Sequence, residues 1–195
     1  MSRLKKSFKP EHEMRKKIDK TIRVLDLQRE KLDQVRARLE RKDKHYFNKA
    51  VKALATHKKK KAVVYANEMA EVRKALKSIN QTKLAIEQIS LRLSTVKDIG
   101  DIVTTIAPAT SILRTVRGNL SDVLPKADEQ FGIITELLGS ILFEVGQMGG
   151  LTINFSAANF EAEKILNKAE AQVEKEIKAQ LPSVPSVVEK EEISL

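Results

Sequence analysis

Cysteine and tryptophan are absent from these 195 residues, and aromatic side chains make up only 4% of them. Without thiols there is no disulfide framework and no thiolate metal site, which suits a reducing compartment. With so few aromatics, the large side chains that usually dominate a globular core are missing. Glycine and proline are absent from one long stretch: the 89 residues from Glu11 to Ile99 contain neither, where average usage would place about ten or eleven. These two residues punctuate turns, so their absence predicts long helices. Also lacking is any apolar run after the basic start "MSRLKKSFKPEHEM", which excludes a signal peptide. No uncharged apolar span reaches 18 residues; "FGIITELLGSILFEVGQMGGL", from Phe131, carries Glu136 and Glu144 and reads as a buried helix, not a membrane span.

Catalytic patterns are missing as well. His12, His45 and His57 fall in charged helical sequence, none paired at metal-ligand spacing. "GQMGG" lacks the length and the following Lys and Ser/Thr of a phosphate-binding loop, so it reads as a helix stop. The acids sit among Lys and Arg at helical spacings, the pattern of a solvated face. The chain is therefore expected to have no catalytic residue, metal or cofactor, and not to be an enzyme.

What is present is charge, at 32% of residues, with a formal net of +10. It is unevenly placed. Residues 1–100 hold 28 Lys/Arg against 12 Asp/Glu, a balance of +16, and residues 101–195 hold 8 against 14, a balance of −6. A basic half implies an anionic partner, a nucleic acid or a membrane surface, and an acidic half in the same chain competes for that partner's place. Stacking platforms for single strands are scarce, so nucleic acid is the less favoured of the two.

In the Gly- and Pro-free region Ile18, Ile22, Leu25, Leu32 and Leu39 form a stripe interrupted by Arg29 and Arg36; Met69, Val72, Leu76, Ile79, Ile86, Leu93 and Val96 form a cleaner one. A single rod would be ~130 Å long with both stripes exposed. Folding back buries them, and "ATHKKKK", residues 55–61, is the expected corner, because Thr and His are poor helix formers and adjacent lysines repel. The prediction is an antiparallel hairpin over about 11–56 and 60–98, followed by helices at 101–120 (kinked or restarted at Pro108), at 125–147, and from Ser156 to about Gln180. The last would bury Ala162, Leu166, Ala169, Val173 and Ile177. The fold class is all-α, a long two-helix hairpin with shorter helices and an extended tail.

Three features are candidates for function. The tail "QLPSVPSVV", residues 180–188, cannot be helical, because two prolines each remove an N–H and hold the preceding residue extended. It reads either as a frayed end or as a docking peptide pre-ordered by its prolines. The N-terminal residues Arg3, Leu4, Lys5, Lys6, Phe8 and Lys9, with the corner residues Lys58, Lys59, Lys60 and Lys61, read either as solvated charge or as an anchor to anionic lipid. The acids of the last helix, Glu161, Glu163, Glu170, Glu174 and Glu176, are expected to fold against the basic hairpin and hold the chain in an inhibited form.

The order of these parts, with "YANEMAEVRKALK" (65–77), "LAIEQISLRLSTV" (84–96) and the Leu-Pro-x-Val-Pro tail, resembles the ESCRT-III family over nearly the whole chain, in particular its archaeal CdvB group. The resemblance implies a non-enzymatic subunit that polymerises with itself and with CdvB-type paralogues on membrane necks and helps cut them during cell division. It implies a cytoplasmic protein, peripheral on the inner face of the cell membrane. It implies that Leu181, Pro182, Val184 and Pro185 bind the MIT domain of a partner AAA ATPase, CdvC. The implied organisation is a basic segment over 1–10, a helical core over 11–148, an acidic regulatory region over 149–180 and the MIT-interacting tail over 181–195. The chain ends soon after the proline motif, leaving no room for the winged-helix segment through which longer CdvB proteins contact CdvA, so it looks like a shorter paralogue. Two other classes fit the residues less well: a basic nucleic-acid-binding coiled coil and a passive helical scaffold.

Overall fold

A computed structural model of the chain describes residues 4–96, 99–120, 125–149, 155–181 and 183. Five helices follow one another: α1 Leu4–Ala55, α2 Lys59–Ser94, α3 Ile99–Leu120, α4 Pro125–Gly149 and α5 Phe155–Gln180. No strand occurs among the described residues, so the fold is all-α as expected.

α1 and α2 pack along their length as an antiparallel pair. The buried seam of α1 is Met14, Ile18, Thr21, Leu25, Gln28 and Leu32, stepping strictly by four and three. This corrects the expected stripe. Ile22 and Leu39 lie half-buried at its margin, and Thr21 and Gln28 occupy seam positions that an apolar pattern passes over. The Thr21 hydroxyl donates to the Lys17 carbonyl at 2.8 Å, so its burial leaves no orphan donor. Arg29 and Arg36 do not interrupt the seam but flank it, Arg29 facing Glu87 at 3.7 Å and Arg36 bonding Glu40 at 2.7 Å. All seven expected residues are buried, six on α2 and Val96 just past its end, and Thr82, Ala85 and Ile89 of α2 join them.

The corner falls at Thr56–Lys58 without glycine. The Lys58 N–H donates to the Ala53 carbonyl at 2.8 Å and the His57 N–H to the Leu54 carbonyl at 3.0 Å, the paired closure of a Schellman cap. His57 takes the left-handed position of that cap, with φ 55°, and histidine is one of the side chains that tolerate it. The lysines are not the turn itself: Lys59, Lys60 and Lys61 form the first turn of α2.

Register is set by ion pairs across the seam. Arg73 donates from Nε to one Asp43 oxygen at 2.7 Å and from a terminal nitrogen to the other at 3.1 Å. The Asp43 side chain is 2% exposed and that of Arg73 16%. Lys83 pairs with Asp33, and Arg29 with Glu87. In all three the two residue numbers add to 116, so no slip accumulates along the hairpin.

Element bounds differ from the expected ones in three places. α1 starts at Leu4 and runs through Pro10, instead of starting after it. α2 stops at Ser94, four residues early, where the Ser94 and Thr95 hydroxyls donate to the Leu91 and Arg92 carbonyls and compete with a further turn. α3 is one helix through Pro108, with Ile106, Ala107, Ala109 and Ile112 buried around the proline. That burial offsets the ~3 kcal/mol that an interior proline costs.

α3 and α4 pack against each other, α3 also against α2 and α4 against α1. Phe131, Ile134, Leu138, Ile141 and Val145 of α4 enter a core shared with Ile106, Ile112 and Leu113 of α3 and with the open end of the hairpin. Glu144 of α4 faces outward and pairs with Lys17 of α1. No helix of the described residues is long and apolar enough to cross a membrane.

Removing one partner of the Asp43–Arg73 pair strands a buried charge. Asp43→Ala is expected to lower stability by about 3–5 kcal/mol, and the double change Asp43→Leu/Arg73→Met to recover most of it. Urea unfolding followed at 222 nm reads both; a loss below 1 kcal/mol for Asp43→Ala would remove the pair as a register device.

Candidate functional site

α5 lies against α2 and α3, so the acidic end of the chain is folded onto the hairpin side of the molecule. Its inward face is Ala158, Ala162, Ile165, Ala169 and Val173. Against expectation, Ile165 takes the inner position, while Leu166 and Ile177 are half-buried beside it. Alanine permits close approach but removes little apolar area from water, so this contact is weaker per turn than the Ile- and Leu-rich α3–α4 interface.

Polar bonds fix where α5 sits. Arg92 of α2 donates to Glu161 at 2.5 Å, Lys77 of α2 to Glu170 at 2.9 Å, and Ser111 of α3 to Asn159 at 2.5 Å. Of the five acids singled out from sequence, Glu161 and Glu170 therefore bridge to the hairpin. Glu174 pairs within its own helix with Lys178 at 3.2 Å, Glu176 accepts from Gln172 at 3.2 Å, and Glu163 is exposed. The field of Glu176 still reaches Arg36 of α1, a minor contribution to a pKa raised chiefly by the hydrogen bond to Glu40. The hydrogen bond from Arg92 holds the Glu161 carboxyl below its ordinary pKa of 4.5, the bond from Lys77 does the same for Glu170, and the bond to Glu170 raises Lys77 above 10.5. Lys77, Arg92, Ser111 and Asn159 were not found from the sequence; nothing but charge sign marks the first two, and nothing marks the last two.

The hairpin end carries the second feature. Lys58, Lys59, Lys60 and Lys61 are all exposed, and Val51, Val63 and Val64 are exposed beside them. α2 begins with three lysines and no acid in its first turn, and Lys58 supplies no side-chain cap. Cations at a helix N-terminus oppose its dipole, so this arrangement costs local stability. Just inside the end, Tyr46 and Tyr65 stack at 6.4 Å with Lys49 5.5 Å over the Tyr65 ring. Residues 4–9 lie in α1, but Arg3 and the side chains of Leu4, Lys5, Lys6, Phe8 and Lys9 are outside the described residues.

α5 ends beside α1, where Leu181 borders a groove with Arg36, Glu40 and Phe47. The Leu181 N–H donates to the Ile177 carbonyl at 3.1 Å, closing the last turn, and its side chain is half-buried. Pro182, Val184 and Pro185 lie outside the described residues. Among the described residues no cluster of His, Asp and Glu could hold a metal ion, and His12, His45 and His57 are exposed.

A long basic hairpin closed by a returning acidic helix now stands beside a match to the Snf7 family over residues 20–188. The chain belongs to the Snf7, or ESCRT-III, family. It is similar to two CdvB-type proteins of Sulfolobus acidocaldarius. Cell division protein B1 is 33% identical over 156 residues, which cover 80% of this chain and 73% of that one. Cell division protein B is 28% identical over 158 residues, covering 81% of this chain and 60% of that one. No solved structure gives a significant match. The names of family and relatives point to a structural class of protein, as the missing catalytic patterns suggested.

The two bridging acids have depressed pKa values when docked, so their contribution is present above 4.5 and is lost as pH falls through the docked values; Lys77, raised, contributes below 10.5 and loses its share above it. Docking is therefore expected to be firmest between those limits. Glu161→Lys/Glu170→Lys places like charges at both contacts and should raise amide exchange across α5 at least tenfold at pH 7, leaving α1 and α2 protected. Exchange unchanged by the double reversal would show that the apolar face alone holds α5.

Proposed function

We infer that this protein is a filament-forming ESCRT-III subunit that acts in archaeal cell division, assembling on anionic membrane at the division site and helping to constrict and cut it. The observation that carries the reading is the hairpin with α5 folded back on it through Arg92–Glu161 and Lys77–Glu170. A monomer closed by weak, reversible contacts is what a subunit needs if it is to stay dispersed until a surface and neighbours favour its open form. The names of the two relatives supply the setting.

In this reading the exposed lysines of the hairpin end and the basic start of α1 meet lipid headgroups, each cation contributing about 1 kcal/mol near an anionic surface. Val51, Val63 and Val64 give the same end a small apolar contact. The five acids of the regulatory helix hold the closed form, Glu161 and Glu170 by direct bridges and Glu163, Glu174 and Glu176 through the field they add. The tail, with Leu181, Pro182, Val184 and Pro185, is the handle for the MIT domain of the AAA ATPase CdvC, which remodels the filament. CdvB-type paralogues co-assemble with it.

Electron microscopy of the purified protein with anionic and neutral vesicles tests the central claim. Coated or tubulated anionic vesicles are expected, with association falling steeply as salt rises; a fixed small complex, or equal binding to neutral vesicles in high salt, would overturn it. For the handle, Leu181→Asp/Val184→Asp should abolish binding of the purified MIT domain in calorimetry while assembly persists. Undiminished affinity would remove the tail from that role.

A further inference from the structure

Between α2 and α5 lies a cleft of about 250 Å³. Leu84 of α2 with Ile165 and Ala169 of α5 give it an apolar wall. Its polar lining is rich in donors: Gln88 and Arg92 from α2, Lys164 and Lys168 from α5, with Glu161 as the one carboxylate. Three cations therefore face one acid, a net of +2.

That acid is already engaged. Glu161 accepts from one terminal nitrogen of Arg92 at 2.5 Å, and a guanidinium has further N–H groups to donate. Lys164 and Lys168 reach Glu161 only through their fields, which add to the Arg92 hydrogen bond in holding its carboxyl below 4.5. Neither lysine closes an ion pair or hydrogen bond among the described residues. The helix itself gives them no relief. They stand four residues apart, a like-charge spacing that weakens a helix, and the positions three and four away from Lys168 are Lys164, Ile165, Ala171 and Gln172, none of them acidic. Elsewhere the two helices match their charges, Lys77 with Glu170 and Lys178 with Glu174. At this cleft the chain's own groups leave the charge unbalanced.

We propose that the cleft binds a small phosphoryl anion, held by Lys164 and Lys168 of α5 together with Arg92 and Gln88 of α2. A phosphoryl group carries about −1.5 to −2 at neutral pH, which balances the net +2. Its oxygens accept only, as a lining of N–H donors requires, and guanidinium suits phosphate geometry. The apolar wall strengthens the attraction by excluding water. At this volume, below the ~300–1,000 Å³ of a drug-sized ligand site, the cleft admits a compact anion and not a duplex or a folded partner. Free diphosphate and a lipid phosphomonoester offer the same chemistry. Because both helices contribute contacts, the anion binds them only when packed together and so strengthens the α2–α5 contact by mass action. This site goes beyond the filament reading and does not depend on it.

Titration calorimetry of the full chain with inorganic diphosphate is expected to give one site per chain. Lys164→Gln/Lys168→Gln should weaken it at least tenfold. Lys175→Gln/Lys178→Gln removes the same charge from exposed positions of α5 outside the cleft and should leave it unchanged. With free diphosphate at ten times its Kd, amide exchange across α5 should slow about elevenfold, an effect that an anion held by α5 alone does not produce. Flotation with phosphatidic acid vesicles distinguishes the source: a tenfold loss confined to the Lys164/Lys168 variant, with no heat from diphosphate, assigns the cleft to a lipid headgroup. Equal losses from the two lysine pairs would mean diffuse attraction and would overturn the proposal. So would diphosphate binding that leaves exchange in α5 unaltered, or indifference of both diphosphate and vesicles to Lys164 and Lys168.

Discussion

The fold depends on one contact, the zipping of two apolar seams along α1 and α2. Each Leu or Ile taken fully out of water contributes about 1.5–3 kcal/mol, and Ile18, Leu25, Leu32, Met69, Leu76, Ile79, Ile86, Ile89 and Leu93 are all buried. Helices of this length have no other reason to lie together, because their outward faces are charged. A purely apolar zipper, however, slides at little cost by one heptad. Asp43 with Arg73 makes sliding expensive: moved by a heptad, Asp43 comes opposite Asn80 or Ala66 and Arg73 opposite Ala50 or Arg36, and the buried pair is broken either way. The two weaker pairs obey the same register, so a steep local constraint is repeated along the seam at lower strength.

The hairpin was legible from the residues because helix and seam are both period-driven. Met69 through Val96 could be read off by spacing and every expected position is buried. α1 was read less well because its seam includes Thr21 and Gln28, and a search for apolar side chains steps sideways to Ile22 at such places. The corner falls inside the expected 55–61: His57, expected there as a poor helix former, ends the helix by taking a left-handed cap, whereas the lysine repulsion also expected is not what turns the chain. The early end of α2 depends on two hydroxyls bonding backward, a local competition invisible to periodicity. For α5, charge sign foretold that it would return to the hairpin, but only Glu161 and Glu170 of the five acids make the bridges, since helical geometry turns Glu163 and Glu174 away.

α4 and α5 are held by apolar faces of very different size. α4 presents Phe131, Ile134, Leu138, Ile141 and Val145 to the core, while α5 presents three alanines with Ile165 and Val173. The larger side chains of α4 remove more apolar surface from water and hold it more firmly. Detaching α5 also leaves the main packed pairs intact, α1 on α2, α3 on α4, α3 on α2 and α4 on α1. α5 closes one side of the same core, with Ala158, Ala162 and Ile165 in it, while the other four helices also pack against one another.

Weak apolar contact also gives the ion pairs at α5 their weight. Surface salt bridges ordinarily contribute little, yet a two-state balance responds to small terms when the larger ones nearly cancel. With an alanine face, Arg92–Glu161 and Lys77–Glu170 become the adjustable part of the α5 contact. The +16 and −6 division of charge is thus more than a solubility feature. In the proposed function it sets the internal acidic helix and an anionic membrane in competition for the same basic hairpin, and such a competition needs no further moving part.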